Sequence, residues 1–215
     1  MSTYVAWAVL YEGETDAAYY DVLIPRVMEE MVIAGTKLPT IPTAPAVRFT
    51  RGSSEKVAAE ACAASEAFHL VFIHADTGGR SLEAGMGQRS TDYCQAMNDR
   101  CEWPMPRCIV IAPRHETEAW ILADPQAVTS TLGYSGAPAA IGLPANAAAA
   151  ERLADPKAVL HSAIVEVRGR RRAVDVTQVF PAIAQRQRLE ELRRARSFQV
   201  FEDHVRRALN DLGCL

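Results

Sequence analysis

Short apolar runs alternate with stretches of helical spacing over the first 125 residues. Residues 4–11, YVAWAVLY, are apolar and stop at Glu12-Gly13. The run is short for a helix and predicts a buried strand. Thr15 or Asp16 can cap a helix over about 16–34, with Tyr19, Val22, Leu23, Val27 and Met31 at helical spacing and Gly35 as its stop. Pro39, Pro42 and Pro45 make 36–46 a loop. Val47–Thr50 predicts a short strand, and Ser53 or Ser54 caps a helix to about Ala67. His69–Ala75, HLVFIHA, is the clearest strand and ends in Asp76-Thr77-Gly78-Gly79. The glycines of Leu82–Gly87 predict a loop, and Ser90–Arg100 predicts a helix. Cys108–Ala112 predicts a strand closed by Pro113, and Glu116–Ala123 a helix ended by Asp124-Pro125.

Strands alternating with helices predict an α/β fold with a mostly parallel sheet covered on both faces. Residues 133–150 are rich in Gly, Ala and Pro and predict a loop or weak helix. The rest is helical in pattern; Ser197 offers a cap before Phe198, Phe201, Val205, Leu209 and Leu212. The expected organisation is an α/β core over 1–132 and a mainly helical C-terminal extension over 133–215, packed on that core.

Composition narrows the class. The chain has 215 residues, 49% apolar and 23% charged, which excludes collagen-like and wholly disordered chains. No apolar run reaches the roughly 18 residues of a membrane helix. The N-terminus lacks a basic segment and a small-residue cleavage site, so it is expected to be a strand rather than a signal peptide. Five cysteines, an odd number without CxxC spacing, predict reduced thiols in a cytoplasmic protein, with neither a disulfide framework nor structural zinc. Residues 151–215 hold 13 Lys/Arg against 9 Asp/Glu, whereas 1–150 hold 10 against 17. That asymmetry would suit a cation site beside a polyanion surface; solvated faces account for it as well.

Ligands of open parallel sheets sit beyond the carboxyl ends of the strands. Three predicted strands end in acids: Glu12, then Asp76, then Glu116 and Glu118. Carboxylates gathered at one edge repel unless a cation compensates them, and hard divalent cations prefer oxygen ligands. Each acid also has a plainer role. Glu14 and Asp16 suit a helix N-terminus, and Asp-Thr-Gly-Gly is good turn chemistry. Trp120 is expected in the core, and His69 and His161 in no chemical role. Arg168, Arg170, Arg171 and Arg172 form a compact basic run that suits phosphate contacts. Arg186, Arg188, Arg193, Arg194 and Arg196 read as a solvated helix face. Gly78-Gly79 could face a phosphate in a flavodoxin-like domain, but the chain carries neither G-x-G-x-x-G nor a P-loop.

The set YEGETD, HADTGG and HETEAWILAD, each after a predicted strand, resembles the Toprim fold of topoisomerases, primases and nucleases of the overcoming-lysogenization-defect class. With ADPKAVL and LEELRRARSFQVFEDHVRRAL it more closely resembles the Toprim-like domain-of-unknown-function family 4276, over nearly the whole chain. The resemblance implies a divalent-metal-dependent nuclease cleaving DNA or RNA, with Mg²⁺ or Mn²⁺ held by Glu12, Asp76, Glu116 and Glu118. Glu12, His74 and Asp76 would be catalytic, and Arg168, Arg170, Arg171 and Arg172 would bind nucleic acid. His74 stands where the family's D-x-D pair has its first acid, or Gly78 where it has its second; either register lacks one carboxylate. The resemblance further implies a cytoplasmic effector of bacterial anti-phage defence, beside an AAA-type or ABC-type ATPase from another chain. The alternative is a non-catalytic protein that binds nucleic acid or that ATPase.

Overall fold

The computed structural model describes residues 4–35, 37–74, 76–77, 80–169 and 175–215. Four short strands form one all-parallel sheet: β1 (Trp7–Leu10), β2 (Val47–Arg48), β3 (Leu70–His74) and β4 (Cys108–Ile111). Their order is β2-β1-β3-β4, with Trp7 opposite Leu70, Val71 opposite Cys108 and His74 opposite Ile111. The β1, β3 and β4 runs are buried throughout, which is why they are apolar without alternation.

Side chains of a strand alternate between the faces of a sheet. Trp7, Val9, Leu70, Phe72, Ile109 and Ile111 therefore join one core. Ala8, Leu10, Val71, Ile73, Cys108 and Val110 join the other. The first core is closed by α1 (Glu14–Ile33) and by the helices that follow β4. The second is closed by α2 (Ser54–Ala63) and by the segment α3 (Leu82–Arg89), a π-helical turn at Ser90–Gln95, and α4 (Ala96–Cys101). Trp7 and Phe72 are fully buried and meet edge to face at 5.9 Å. Truncating such a residue to alanine costs about 3–5 kcal/mol.

After β4 come α5 (Glu118–Ile121), α6 (Pro125–Leu132), α7 (Ala147–Ala150), α8 (Pro156–Arg168), α9 (Val176–Arg186), α10 (Leu189–Leu192) and α11 (Arg196–Asp211). Asp124, Asn146, Asp155 and Asp175 cap α6, α7, α8 and α9 through their side chains. Trp120 is buried as expected, with ring centroids 5.1 Å from Phe198 and 5.4 Å from Phe201. Residues from both 1–132 and 133–215 share the first core. Among the described residues no helix is long and apolar enough to cross a membrane.

Four expectations are corrected. Leu82–Gly87 is helix, not loop: Gly85 is there because α3 presses on Thr77, and a Cβ on it would lie 2.9 Å from Thr77 Cγ2. Thr15 and Asp16 do not cap α1, which starts from Gly13 and leaves the Asp16 carboxylate free for a tertiary contact. Ser197 is not the cap of α11 either. It lies inside the first turn, accepts a hydrogen bond from Trp120 Nε1 at 2.7 Å, and donates to Glu151. Glu151 takes over the capping, accepting from the backbone N–H groups of Arg196 and Ser197, each at 2.8 Å. Finally, four cysteines are paired, Cys62 with Cys101 and Cys94 with Cys108, leaving Cys214 as the buried thiol. Partners far apart in the chain leave no short-spacing signature.

Candidate active site at the carboxyl edge of the sheet

The strand order places a topological switch between β1 and β3. The chain leaves β1 for β2 on one side, then crosses back to β3 and β4 on the other. In such sheets the crevice outside the carboxyl ends at the switch is where ligands bind. Residues after β1 and after β3 line it here.

His74 is the last residue of β3 and shares the face of Leu70 and Phe72, so its ring enters the core on the α1 side. The side chain is 0% exposed. Tyr20 of α1 packs on it with ring centroids 4.8 Å apart. Asp16 Oδ2 lies 3.8 Å from Nδ1, and Asp76 Oδ1 lies 3.3 Å from Nε2. The imidazole thus stands between two carboxylates, one from α1 and one from the loop after β3.

Thr117 organises the cluster. Its hydroxyl donates to Asp16 Oδ1 at 2.6 Å. It also lies 3.2 Å from the Tyr20 hydroxyl and 3.2 Å from His74 Nε2. A threonine has one hydrogen to give. That hydrogen goes to Asp16, so Tyr20 and His74 Nε2 must both donate to Thr117. Burial, more than any other influence, holds the Tyr20 phenol well above its ordinary value of 10.0, which keeps it a donor. The Nε2–H therefore points at Thr117, not at Asp76. Asp76 Oδ1 and His74 Nδ1 are buried without a hydrogen-bond partner among the described residues, as is Glu116 Oε2. Unpaired buried polar atoms are rare and call for a reason.

Thr77 is a second rivet. Its hydroxyl donates to the Pro113 carbonyl at 3.2 Å and accepts from the His115 backbone N–H at 2.8 Å. This ties the loop carrying Asp76 to the loop leading into Glu116. His115 adopts the left-handed conformation, with φ at 66°. Such a backbone is uncommon outside glycine and persists where surrounding bonds hold it.

The remaining expected residues are more dispersed. Glu12 reaches the same edge, but its carboxylate pairs with Arg89 Nη2 at 3.0 Å, and its carbonyl accepts from Arg51. Glu118 is buried on the wall of a pocket of about 130 Å³ shared with Lys157, His161 and Phe180. Burial raises its carboxyl above the ordinary value of 4.5; Glu116 and Asp16 raise it further and Lys157 opposes them. His69 accepts from the Ala6 N–H at 3.1 Å. Arg168 is exposed at the end of α8. Arg170, Arg171 and Arg172, and Gly78-Gly79, lie outside the described residues.

The fit of these residues to a divalent cation follows from that geometry. Among the described residues no three His, Cys, Asp or Glu side chains form a group that could hold one. Asp16 and Asp76 flank opposite nitrogens of His74, Nε2 carries its hydrogen, and Glu12 is taken by Arg89. The expected four-carboxylate set does not fit a cation as placed. The residues that do converge are Asp16, Tyr20 and Thr117 around His74 and Asp76. Of these the sequence pattern marks Asp16 only as a helix-terminal charge, and nothing in it marks Thr117 or Tyr20 as part of a site.

Neither the curated proteins nor the solved structures include a match to this chain. One family does match, described as a domain of unknown function (DUF4276), over residues 11–206. That span takes in β2, β3 and β4, the His74 cluster and nearly all of the C-terminal helices, and the chain belongs to the DUF4276 family.

Proposed function

We propose that this chain is a phosphodiester hydrolase acting on nucleic acid, Toprim-like in descent, with its chemistry at the β1/β3 switch. The observation that carries this reading is the His74–Asp76 pair. A buried imidazole is fixed by Thr117, and the neighbouring carboxylate keeps an oxygen with no hydrogen-bond partner among the described residues. Oδ1 itself is buried, but the Asp76 side chain as a whole remains 30% exposed, so water and substrate can reach the carboxylate from its open side.

In the proposed reaction Asp76 accepts a proton from the attacking water. The water oxygen bonds to phosphorus, and the bond from phosphorus to the leaving sugar oxygen breaks. That oxygen takes its proton from solvent; the His74 ring, fully buried with its Nε2–H bonded to Thr117, stands against Asp76 and does not itself react. Thr117, Asp16 and Tyr20 hold the ring and its tautomer; they position and do not react. No step is routed through a cation, because the donor set as placed does not assemble one.

The same reading casts the protein as a cytoplasmic effector in anti-phage defence, beside an ATPase of the AAA or ABC type. This chain carries no P-loop, so the ATPase would be another chain. A cytoplasm keeps thiols reduced, so activity is to be assayed with the cysteine pairs both oxidised and reduced. A second reading, binding without cutting, draws on the Glu12–Arg89 pair, which ties up the carboxylate that the Toprim resemblance makes catalytic.

The test is incubation of the purified protein with supercoiled DNA and structured RNA in Mg²⁺, Mn²⁺ or EDTA. Cleavage that Asp76→Asn reduces by about 100-fold or more supports the hydrolase. Absence of cleavage in every condition, with nucleic acid still bound, supports the second reading.

A further inference from the structure

Next to the switch lies a cleft of about 520 Å³ lined by Arg114, His115, Glu151, Arg152, Arg194 and Arg196. The arginines come from three separate segments: the loop after β4, the turn after α7 and the approach to α11. Arg194 pairs with Glu191 at 3.0 Å. The side chains of Arg114, Arg152 and Arg196 are exposed and have no hydrogen bond or ion pair among the described residues. Glu151 is the acid of the cleft, and its carboxylate is engaged by the first N–H groups of α11 and by Ser197.

Guanidinium groups that converge where the one lining acid, Glu151, is already engaged by α11 repel one another, and the cleft that collects them focuses a positive field. The arrangement is favourable when an anion is shared between them. Arginine's planar fork matches phosphate oxygens two at a time. The cleft is as large as pockets that enclose a drug-sized ligand. It is also linked to the proposed chemistry: His115 lines the cleft, and its N–H is held by Thr77, one residue from Asp76.

We propose that this cleft binds the phosphate backbone of the nucleic-acid substrate, with Arg114, Arg152 and Arg196 gripping the phosphates. The inference rests on the hydrolase reading and names the surface that delivers the strand. It adds to the expected Arg168–Arg172 run a second polyanion surface, made of arginines scattered in sequence and gathered by folding. The binding is independent of base sequence and falls steeply with salt.

The experiment is fluorescence anisotropy with labelled single-stranded DNA and RNA of about 20 nucleotides, in EDTA, from about 50 to about 200 mM NaCl. The proteins are wild type, the triple variant Arg114→Gln/Arg152→Gln/Arg196→Gln, and Arg206→Gln on the exposed face of α11 as control. Wild type is expected to bind. The triple variant is expected to bind at least about 10-fold more weakly, its salt slope smaller by roughly 0.7 for each phosphate that it no longer neutralises. Arg206→Gln should behave as wild type, and an unchanged melting temperature should show that the triple variant is folded. An unchanged affinity and slope in the triple variant would overturn the proposal, as would a wild type that binds neither strand. So would a triple variant that loses only its binding to phosphatidylserine vesicles, which would make the cleft a lipid site. Asp76→Asn separates the two readings: it should bind like wild type and fail to cleave. A triple variant that binds and cleaves like wild type sinks the cleft and leaves the hydrolase standing.

Discussion

The Thr117 hydroxyl donates its one hydrogen to Asp16 Oδ1 at 2.6 Å, and that bond sets the direction of the Thr117–His74 contact. With the hydrogen spent on Asp16, Thr117 accepts from both Tyr20 and His74 Nε2. Thr117→Val, nearly the same shape, strips a carboxylate of its donor and two buried donors of their acceptor. It is expected to cost about 2–4 kcal/mol in urea unfolding, since unpaired buried groups carry their full desolvation cost. Thr117→Ser keeps the hydroxyl and should recover most of that loss. A valine variant as stable as wild type would show that the network is not held by this residue.

Gly85 and Gly87 sit two residues apart in α3 and should respond oppositely to alanine. A Cβ on Gly85 meets Thr77 Cγ2 at 2.9 Å, with Thr77 Cβ at 3.3 Å behind it, whereas a Cβ on Gly87 meets nothing within 4 Å. Gly87→Ala should stabilise by about 0.5–1 kcal/mol, the usual helix gain. Gly85→Ala should destabilise by about 1–3 kcal/mol through overpacking and displace the loop bearing Asp76. Thermal melts of the two variants check the sign; two stabilised variants would contradict the close approach of α3 to Thr77.

Asp124 links the end of the Trp120 helix to the C-terminal part. Its side chain is 1% exposed and accepts from the Arg188 backbone N–H and from Arg188 Nε and Nη2 at 2.9–3.0 Å. Burial by itself would raise the carboxyl, but the Arg188 bonds outweigh it and hold Asp124 below its ordinary value of 3.8. A depressed folded value stabilises above the unfolded value and is lost as pH falls through the folded one. Arg188→Met should therefore be less stable than wild type at pH 7 by about 1–3 kcal/mol, a range discounted because Arg188 is half exposed. The gap should close as the pH falls below the ordinary carboxylate range. A gap that stays constant down to acid pH would contradict this account.

The cysteine pairs are open to a direct check. Alkylation of the unreduced, unfolded protein followed by mass spectrometry should label Cys214 alone. Loops of 39 and 14 residues predict losses of about 4 and about 3 kcal/mol when the two bridges are reduced, on the chain-entropy account. Five labelled thiols in protein purified without reductant would contradict the pairing.

The layers of this fold are legible in the sequence because they obey local rules. Three apolar runs too short for helices form the buried strands β1, β3 and β4, and the spacing of Tyr19, Leu23, Val27 and Met31 forms the buried side of α1. Local rules fail where tertiary contact overrides them. Gly85 weakens a helix in isolation and is needed where α3 meets Thr77. A shift of two residues in the start of α1 turns Asp16 from an expected cap into the partner of Thr117. The edge of the sheet is legible as a place, through Glu12, His74 and Asp76. Its wiring is not, because Thr117 lies 101 residues from Asp16. The basic cleft draws on Arg114, Arg152, Arg194 and Arg196, whereas a sequence shows only runs, and the run at Arg168–Arg172 stands out instead.

The central claim is that Asp76, beside His74, carries out chemistry on a bound strand. The most direct measurement is the single-turnover cleavage rate of Asp76→Asn against wild type, on an oligonucleotide whose affinity for both proteins has been measured in EDTA. The account predicts affinities within about twofold and a rate lower by about 100-fold or more in the variant, the usual contribution of a general base. Equal cleavage rates at equal affinity would contradict it and place the reacting groups elsewhere on the molecule.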